Sequence, residues 1–179
     1  MVGKVSFKEI IGTEEEIDYL QAIKNFTCQD VEVETFLKTK ALDFDQRNKS
    51  RTYLLIDGGN DNEIVILGYY TLTMKSLPFG AETSKSAKKK IDGFRSDVDS
   101  TEAVLIGQLG KNYNYKDKIN GKIIIDYALD DIYRTQNIIG GRITFLECQN
   151  SEKVIKFYQE NGFVFLQDSG EYLQMIRYL

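Results

Sequence analysis

The apolar positions of this chain switch between a period near two and a period near 3.6, and each switch marks an element. Residues 4–10, Lys-Val-Ser-Phe-Lys-Glu-Ile, predict a first strand. Thr13 then stands at an N-cap position, with Glu14, Glu15 and Glu16 in the first turn of a helix running to about residue 25. Asp30 caps a second helix to about residue 45, whose apolar stripe is Val33, Phe36, Leu37 and Leu42. Residues 52–57 predict a strand, Gly58-Gly59-Asn60 a turn, and residues 64–74 the returning strand of a hairpin. Residues 103–109 predict a buried strand. A helix over 119–134 follows, with Ile123, Ile124, Tyr127, Ala128 and Ile132 inward, and then a strand over 143–148. Residues 150–163 read as a short amphipathic helix. Val154, Ile155 and Phe157 supply its apolar faces, the Ser151 hydroxyl can cap it, and Gly162 ends it before a strand that begins at Phe163. Strands over 163–166 and 172–177 close the chain. Paired strands followed by strand–helix–strand–helix–strand predict a mixed α/β sheet with helices on both faces, in a single domain over 1–179.

One segment breaks the pattern. Residues 76–100 hold the only proline, Pro78, and the run Lys88-Lys89-Lys90. They predict a loop with a short helix from about 83 to 91, either a solvated surface excursion or a substrate-facing lid or basic patch. The net charge of −4 argues against a broadly basic nucleic-acid binder. Positive charge is nevertheless concentrated locally: Lys85, Lys88, Lys89, Lys90 and Arg95 precede the strand over 103–109, and Lys111, Lys116, Lys118 and Lys122 follow it.

Composition then removes chemistries. There is no histidine, so the usual general base, the Ser-His and Cys-His dyads and the commonest metal ligand are gone. Two distant cysteines, Cys28 and Cys148, suggest neither a disulfide framework nor a zinc site, and no metal is expected. No apolar run is long enough to cross a membrane and the first residues do not read as a signal peptide, so the expected location is the cytoplasm.

The run from Leu105 to Gly121 is a second candidate for chemistry, beside the helix over 150–163. It reads as a strand ending at Gly110, a loop rich in amide donors, and a helix start. The first N–H groups of a helix lack intrahelical partners and point at one spot, which the helix dipole makes positive. Lys116, Lys118 and Lys122 add formal charge, and Gly121 lets the backbone approach an anion closely.

The pattern Phe157-Tyr158-x-x-x-Gly162-Phe163 resembles the closing motif of the GNAT superfamily of acyl-CoA-dependent N-acetyltransferases. The loop of Lys116, Asp117, Lys118, Ile119, Asn120, Gly121 and Lys122 is similar to that family's acetyl-CoA motif, Gln/Arg-x-x-Gly-x-Gly/Ala. Lys116 takes its first position, Ile119 that of the middle glycine and Gly121 the last. The resemblance implies the GNAT fold, with a splayed central strand pair in a mostly antiparallel sheet. It also implies that acetyl-CoA binds with its diphosphate on this loop. Leu109, Gly110 and Lys111 would then offer backbone groups to the pantetheine arm. Ser151 falls where the family commonly has a CoA-contacting asparagine, and Asn150 either replaces that contact or helps cap the helix.

The N-terminal half narrows the resemblance. Phe26-Thr-Cys28, Phe36-Leu37, Ala41-Leu42, Ser50-Arg51-Thr52-Tyr53 and Gly68-Tyr69-Tyr70-Thr-Leu72 are similar to the acetyltransferase toxins of bacterial toxin–antitoxin systems. Those toxins acetylate the α-amine of aminoacyl-tRNA. The resemblance implies an antitoxin partner and leaves a homodimer open. Tyr158 is the implied general acid for the departing thiolate, since a phenol with a pKa of about 10 stays protonated at neutral pH. No general base stands out, and Gln108 occupies a position where a glutamate would have served. A small cationic amine as acceptor, or an inactive CoA-binding or interaction module, remain alternative readings.

Overall fold

The structure, a computed structural model, describes residues 1–59 and 63–179. Its elements are strands β1 (Val2–Ser6), β2 (Arg51–Asp57), β3 (Ile66–Pro78), β4 (Ser100–Lys111), β5 (Ile143–Gln149), β6 (Val164–Ser169) and β7 (Tyr172–Tyr178). The helices are α1 (Phe7–Ile10), α2 (Glu16–Lys24), α3 (Val31–Thr39), α4 (Ala41–Gln46), α5 (Lys85–Asp92), α6 (Gly121–Ile139) and α7 (Glu152–Glu160), with a 3-10 turn over Tyr113–Tyr115. The sheet has the strand order β1-β2-β3-β4-β5-β7-β6. Pairings β1·β2, β2·β3, β5·β7 and β6·β7 are antiparallel, and β4·β5 is parallel, as its long helical connection through α6 requires. Asn60, assigned above to the hairpin turn, lies outside the described residues. Among the described residues no helix is long and apolar enough to cross a membrane, and no cluster of side chains suits a metal ion.

The chain forms two compact units, Met1–Thr73 with Gln108–Ala128, and Met74–Gly107 with Leu129–Leu179. In the first, Phe7, Ile10, Tyr19, Ile23, Phe26, Leu37, Leu54, Ile66 and Tyr69 make the core. In the second, Leu77, Ile91, Ala103, Leu105, Ile143, Phe145 and Ile176 do so. The segment 76–100 is ordered around this second core. Ser84 caps α5 by accepting the Ala87 N–H, Gly93 ends it in the left-handed region, and Ile91 is buried. The Lys88 and Lys90 ammonium groups lie over the rings of Phe79 and Tyr178.

Several boundaries differ from the sequence expectation for local reasons. The first strand stops at Ser6, because Ser6-Phe-Lys-Glu9 closes a capping box in which the Ser6 backbone N–H and hydroxyl both donate to Glu9. Thr13 does not cap α2: its hydroxyl donates to the Ile10 carbonyl, and the helix begins only at Glu16. The helix after Asp30 is two helices. Asp30 caps α3 through the amides of Glu32 and Val33 as expected, but Lys40 leaves helical geometry before α4 begins. Helix α6 starts two residues later than expected and ends at Ile139. Ile125 is buried in it while Ile123 is only half-buried.

Buried Asp45 ties α4 to β2. It is 3% exposed, and its carboxylate accepts from the Arg51 guanidinium at 3.0 Å and from the Thr52 amide at 2.8 Å. Arg51 also donates to the Asp45 carbonyl and to Asn48, so it is a brace and not an edge-strand surface residue. Asp45→Ala leaves a guanidinium and an amide without their acceptor, and is expected to cost about 2–4 kcal/mol in urea unfolding. Asp43→Ala, which removes an exposed pair with Arg47, is expected to cost less than about 1 kcal/mol.

Candidate functional site

In the first unit, the end of β4 is shaped by a missing side chain. A Cβ on Gly110 would stand 2.5 Å from the Tyr69 ring and 2.8 Å from Val33. The residue is glycine because of a close approach, as expected for a strand glycine beside a special site. The Tyr69 hydroxyl donates to the Val33 carbonyl, and burial pushes that phenol far above its usual value. The strand runs one residue further than expected, to Lys111, where Asn112 takes over. Asn112 is 2% exposed. Its side-chain amide donates to the Ile66 carbonyl, its backbone N–H donates to the Leu67 carbonyl, and its side-chain oxygen accepts from Asn114. An asparagine making this many fixed bonds is an anchor for the loop. It was missed in the sequence because a lone asparagine in a polar loop carries no periodic signal.

Past the 3-10 turn, Ile119 is 3% exposed. Its side chain is therefore buried and does not stand out from the loop surface. Asn48 is the only non-glycine residue with positive φ among the described residues, so Ile119 avoids the left-handed region. Asn120 caps α6, its side-chain oxygen accepting the Ile123 N–H at 3.0 Å. Among the described residues, the N–H groups of Ile119, Asn120, Gly121 and Lys122 donate to no backbone carbonyl outside the helix. The first helical amides have no carbonyl within it either. Four consecutive donors therefore head a 19-residue helix.

The loop lysines are not equivalent. Lys118 pairs with Asp57 at 2.7 Å, and Lys122 with Asp126 at 2.8 Å one turn along α6. Lys116 lies over the Tyr113 ring and has no carboxylate partner among the described residues, so its charge is the least committed of the three. Asp117 is exposed. Cys28 is half-buried against the backbone N–H groups of Asp30, Lys111 and Gln29, and burial pushes its thiol up, away from nucleophilic use.

In the second unit, β4 and β5 pair only at Val104↔Thr144, Leu105↔Phe145 and Ile106↔Leu146, although β5 continues to Gln149. Beyond Leu146, β5 keeps its antiparallel partner β7 through Gln149↔Tyr172. Ser151 is the N-cap residue of α7, yet it makes no side-chain cap bond, contrary to expectation. Asn150, one residue before it, is exposed. Tyr158 is half-buried, with the Phe157 and Phe163 rings packed edge-on at 5.1 and 5.8 Å. Gly162, with φ +82°, ends α7 as expected, and the Asn161 side chain donates back to the Phe157 carbonyl. Cys148 is buried against Met175.

No protein-family model and no curated protein sequence matches the chain. Solved structures do. AtaT complexed with acetyl-methionyl-tRNAfMet is similar with a TM-score of 0.74 and 22% identity, over 100% of this chain and 94% of that one. A tyrosine-to-phenylalanine mutant of KacT is similar with a TM-score of 0.70 and 25% identity, over 86% and 85%. AtaTR bound with acetyl-CoA gives a TM-score of 0.70 and 20% identity, over 99% and 92%. The chain has the GNAT fold, and the structures it resembles are toxins of this fold.

The Lys118–Asp57 pair yields a titration test. The Lys118 ammonium, and then the Gly59 N–H, hold the Asp57 carboxyl below its usual value, while the same contact raises Lys118. The pair is therefore present above the ordinary aspartate pKa of about 3.9, and is lost as pH falls through the lower folded value. An NMR titration should place the Asp57 midpoint below about 3.9, and Lys118→Ala should move it upward.

Proposed function

We propose that this protein is an acetyl-CoA-dependent N-acetyltransferase whose acceptor is the α-amine of aminoacyl-tRNA. The run of unclaimed amides at the head of α6, past the end of β4 at Lys111 and the 3-10 turn, carries the cofactor half of this reading. Such a cradle suits a diphosphate, with Lys116 as a further cation. Leu109, Gly110 and Lys111 would hydrogen-bond the pantetheine amides, and Ser151 and Asn150 would add contacts from the uncapped start of α7. The early end of the β4·β5 register at Ile106↔Leu146, while β5 itself continues to Gln149, supports a strand-like ligand in this fold.

The chemistry follows from an amine attacking a thioester. The carbonyl oxygen becomes an oxyanion, which a strand N–H near Leu109 or Gly110 would polarise. The carbon–sulfur bond then breaks, and the Tyr158 phenol protonates the departing thiolate. An α-amine suits a site with no histidine: its pKa of about 7.7–8.0 leaves a useful neutral fraction near neutrality, whereas a lysine side chain near 10.4 does not.

The acceptor assignment is supported by the structures this chain resembles, one of which is AtaT with acetyl-methionyl-tRNAfMet. It is also supported by the lysines of α5, a docked cationic helix suited to a phosphate backbone despite the acidic whole. The same comparisons include an AtaT mutant bound to the C-terminus of the antitoxin AtaR with acetyl-CoA, so an antitoxin partner belongs to the reading.

Calorimetry should show the protein binding acetyl-CoA. Incubation with acetyl-CoA and a panel of aminoacylated tRNAs, polyamines and peptides should give N-acetyl-aminoacyl-tRNA; products on polyamines alone would move the acceptor to small cationic amines. Tyr158→Phe should lower kcat by about 10²–10⁴-fold with little change in acetyl-CoA affinity. Full kcat in that variant would remove the general-acid role.

A further inference from the structure

We propose that Glu147 is the group that accepts the proton of the incoming amine, and that Gln174 and Gln167 are positioning residues that hold its carboxylate. The inference rests on the function proposed above and names the base which that reading lacks.

Glu147 is the first residue of β5 beyond the last pairing with β4, Ile106↔Leu146. It is exposed, and among the described residues no cation pairs with it. It is nonetheless held. Glu147 faces Gln174 across the β5·β7 pairing, and Gln174 faces Gln167 across β6·β7. The three side chains form one row across the sheet. Gln167 Oε1 accepts from the Gly80 N–H at 2.7 Å and from the Thr83 hydroxyl at 3.0 Å. Gln167 Nε2 donates to the Pro78 carbonyl at 2.8 Å and to Gln174 Oε1 at 2.6 Å. Gln174 Nε2 donates to Glu147 Oε1 at 2.8 Å.

The direction of this row is fixed by chemistry. A backbone N–H can only donate and a carbonyl can only accept, so Gly80 and Pro78 together set which end of the Gln167 amide is oxygen. Gln167 Nε2 then requires Gln174 to present its oxygen, which leaves the Gln174 NH₂ facing Glu147. Gln174 is 4% exposed and cannot exchange these partners for water. One carboxylate oxygen is thus occupied by a fixed donor, and the other is left for a cation. A row starting in the segment 78–83 and ending on an unpaired carboxylate is more than sheet packing requires.

The proton count closes. An ammonium gives one proton to Glu147, which passes it to water. The neutral nitrogen bonds to the thioester carbon and the carbon–sulfur bond breaks. Tyr158 protonates the thiolate, and its phenolate takes the second proton from nitrogen. The products are the amide, CoA thiol and one released proton.

The test is Glu147→Gln, which keeps an acceptor for Gln174 and removes only the charge. Acetyl-CoA affinity by calorimetry and the thermal midpoint should match the wild type. With bulk aminoacylated tRNA, turnover at pH 7 should fall by about tenfold, because only about a tenth of an amine with a pKa near 8.0 is neutral there, and the deficit should deepen toward pH 6 and shrink as pH rises. Gln174→Met should lower kcat less, with the same pH signature and unchanged acetyl-CoA binding. A Glu147→Gln enzyme within threefold of wild type from pH 6 to 9, with acetyl-CoA binding intact, overturns the role. A wild-type protein that binds no acetyl-CoA overturns the proposed function, and this role with it.

Discussion

The structure depends on where backbone hydrogen bonding stops. The register of β5 with β4 ends at Ile106↔Leu146, while its antiparallel pairing with β7 continues to Gln149. At the head of helix α6, four consecutive amides follow a strand that Gly110 and Asn112 hold in place. Amides at the head of a helix are the kind of backbone donor that an anionic ligand can satisfy.

The supporting side chains are spent on keeping that backbone fixed. The Ile119 side chain is buried. Tyr69 locks to Val33 over Gly110, and Asn112 ties the loop to Ile66 and Leu67. In the other unit, Gln167 and Gln174 join the 78–83 segment to Glu147 through amide bonds whose direction is set by two backbone groups. Preorganisation of this kind is what allows dipoles and charges to act on a reacting centre without rearranging.

Much of this was legible in the sequence, and the failures have identifiable causes. The element order and the mixed sheet followed from hydrophobic period, and Asp30 and Gly162 acted at helix ends as their chemistry suggests. Ser6–Glu9 was overlooked because a four-residue capping box sits inside a run that alternates like a strand. Thr13 and Ser151 have the right residue type for caps, but their local backbones lead the hydroxyls elsewhere or leave them unused. The lysines of the 116–122 loop looked alike in sequence. Only the fold distinguishes Lys118, committed to Asp57, from Lys116. Glu147 had no sequence signal at all, because its meaning comes from partners on β6 and β7 and from where β4 leaves β5.

Amide hydrogen exchange with and without acetyl-CoA tests the central claim most directly, since it reads the backbone donors themselves. The account predicts that saturating acetyl-CoA slows exchange at residues 119–122, and at Leu109 to Lys111, far more than elsewhere in the chain. Binding of acetyl-CoA with exchange at 119–122 unchanged would contradict it.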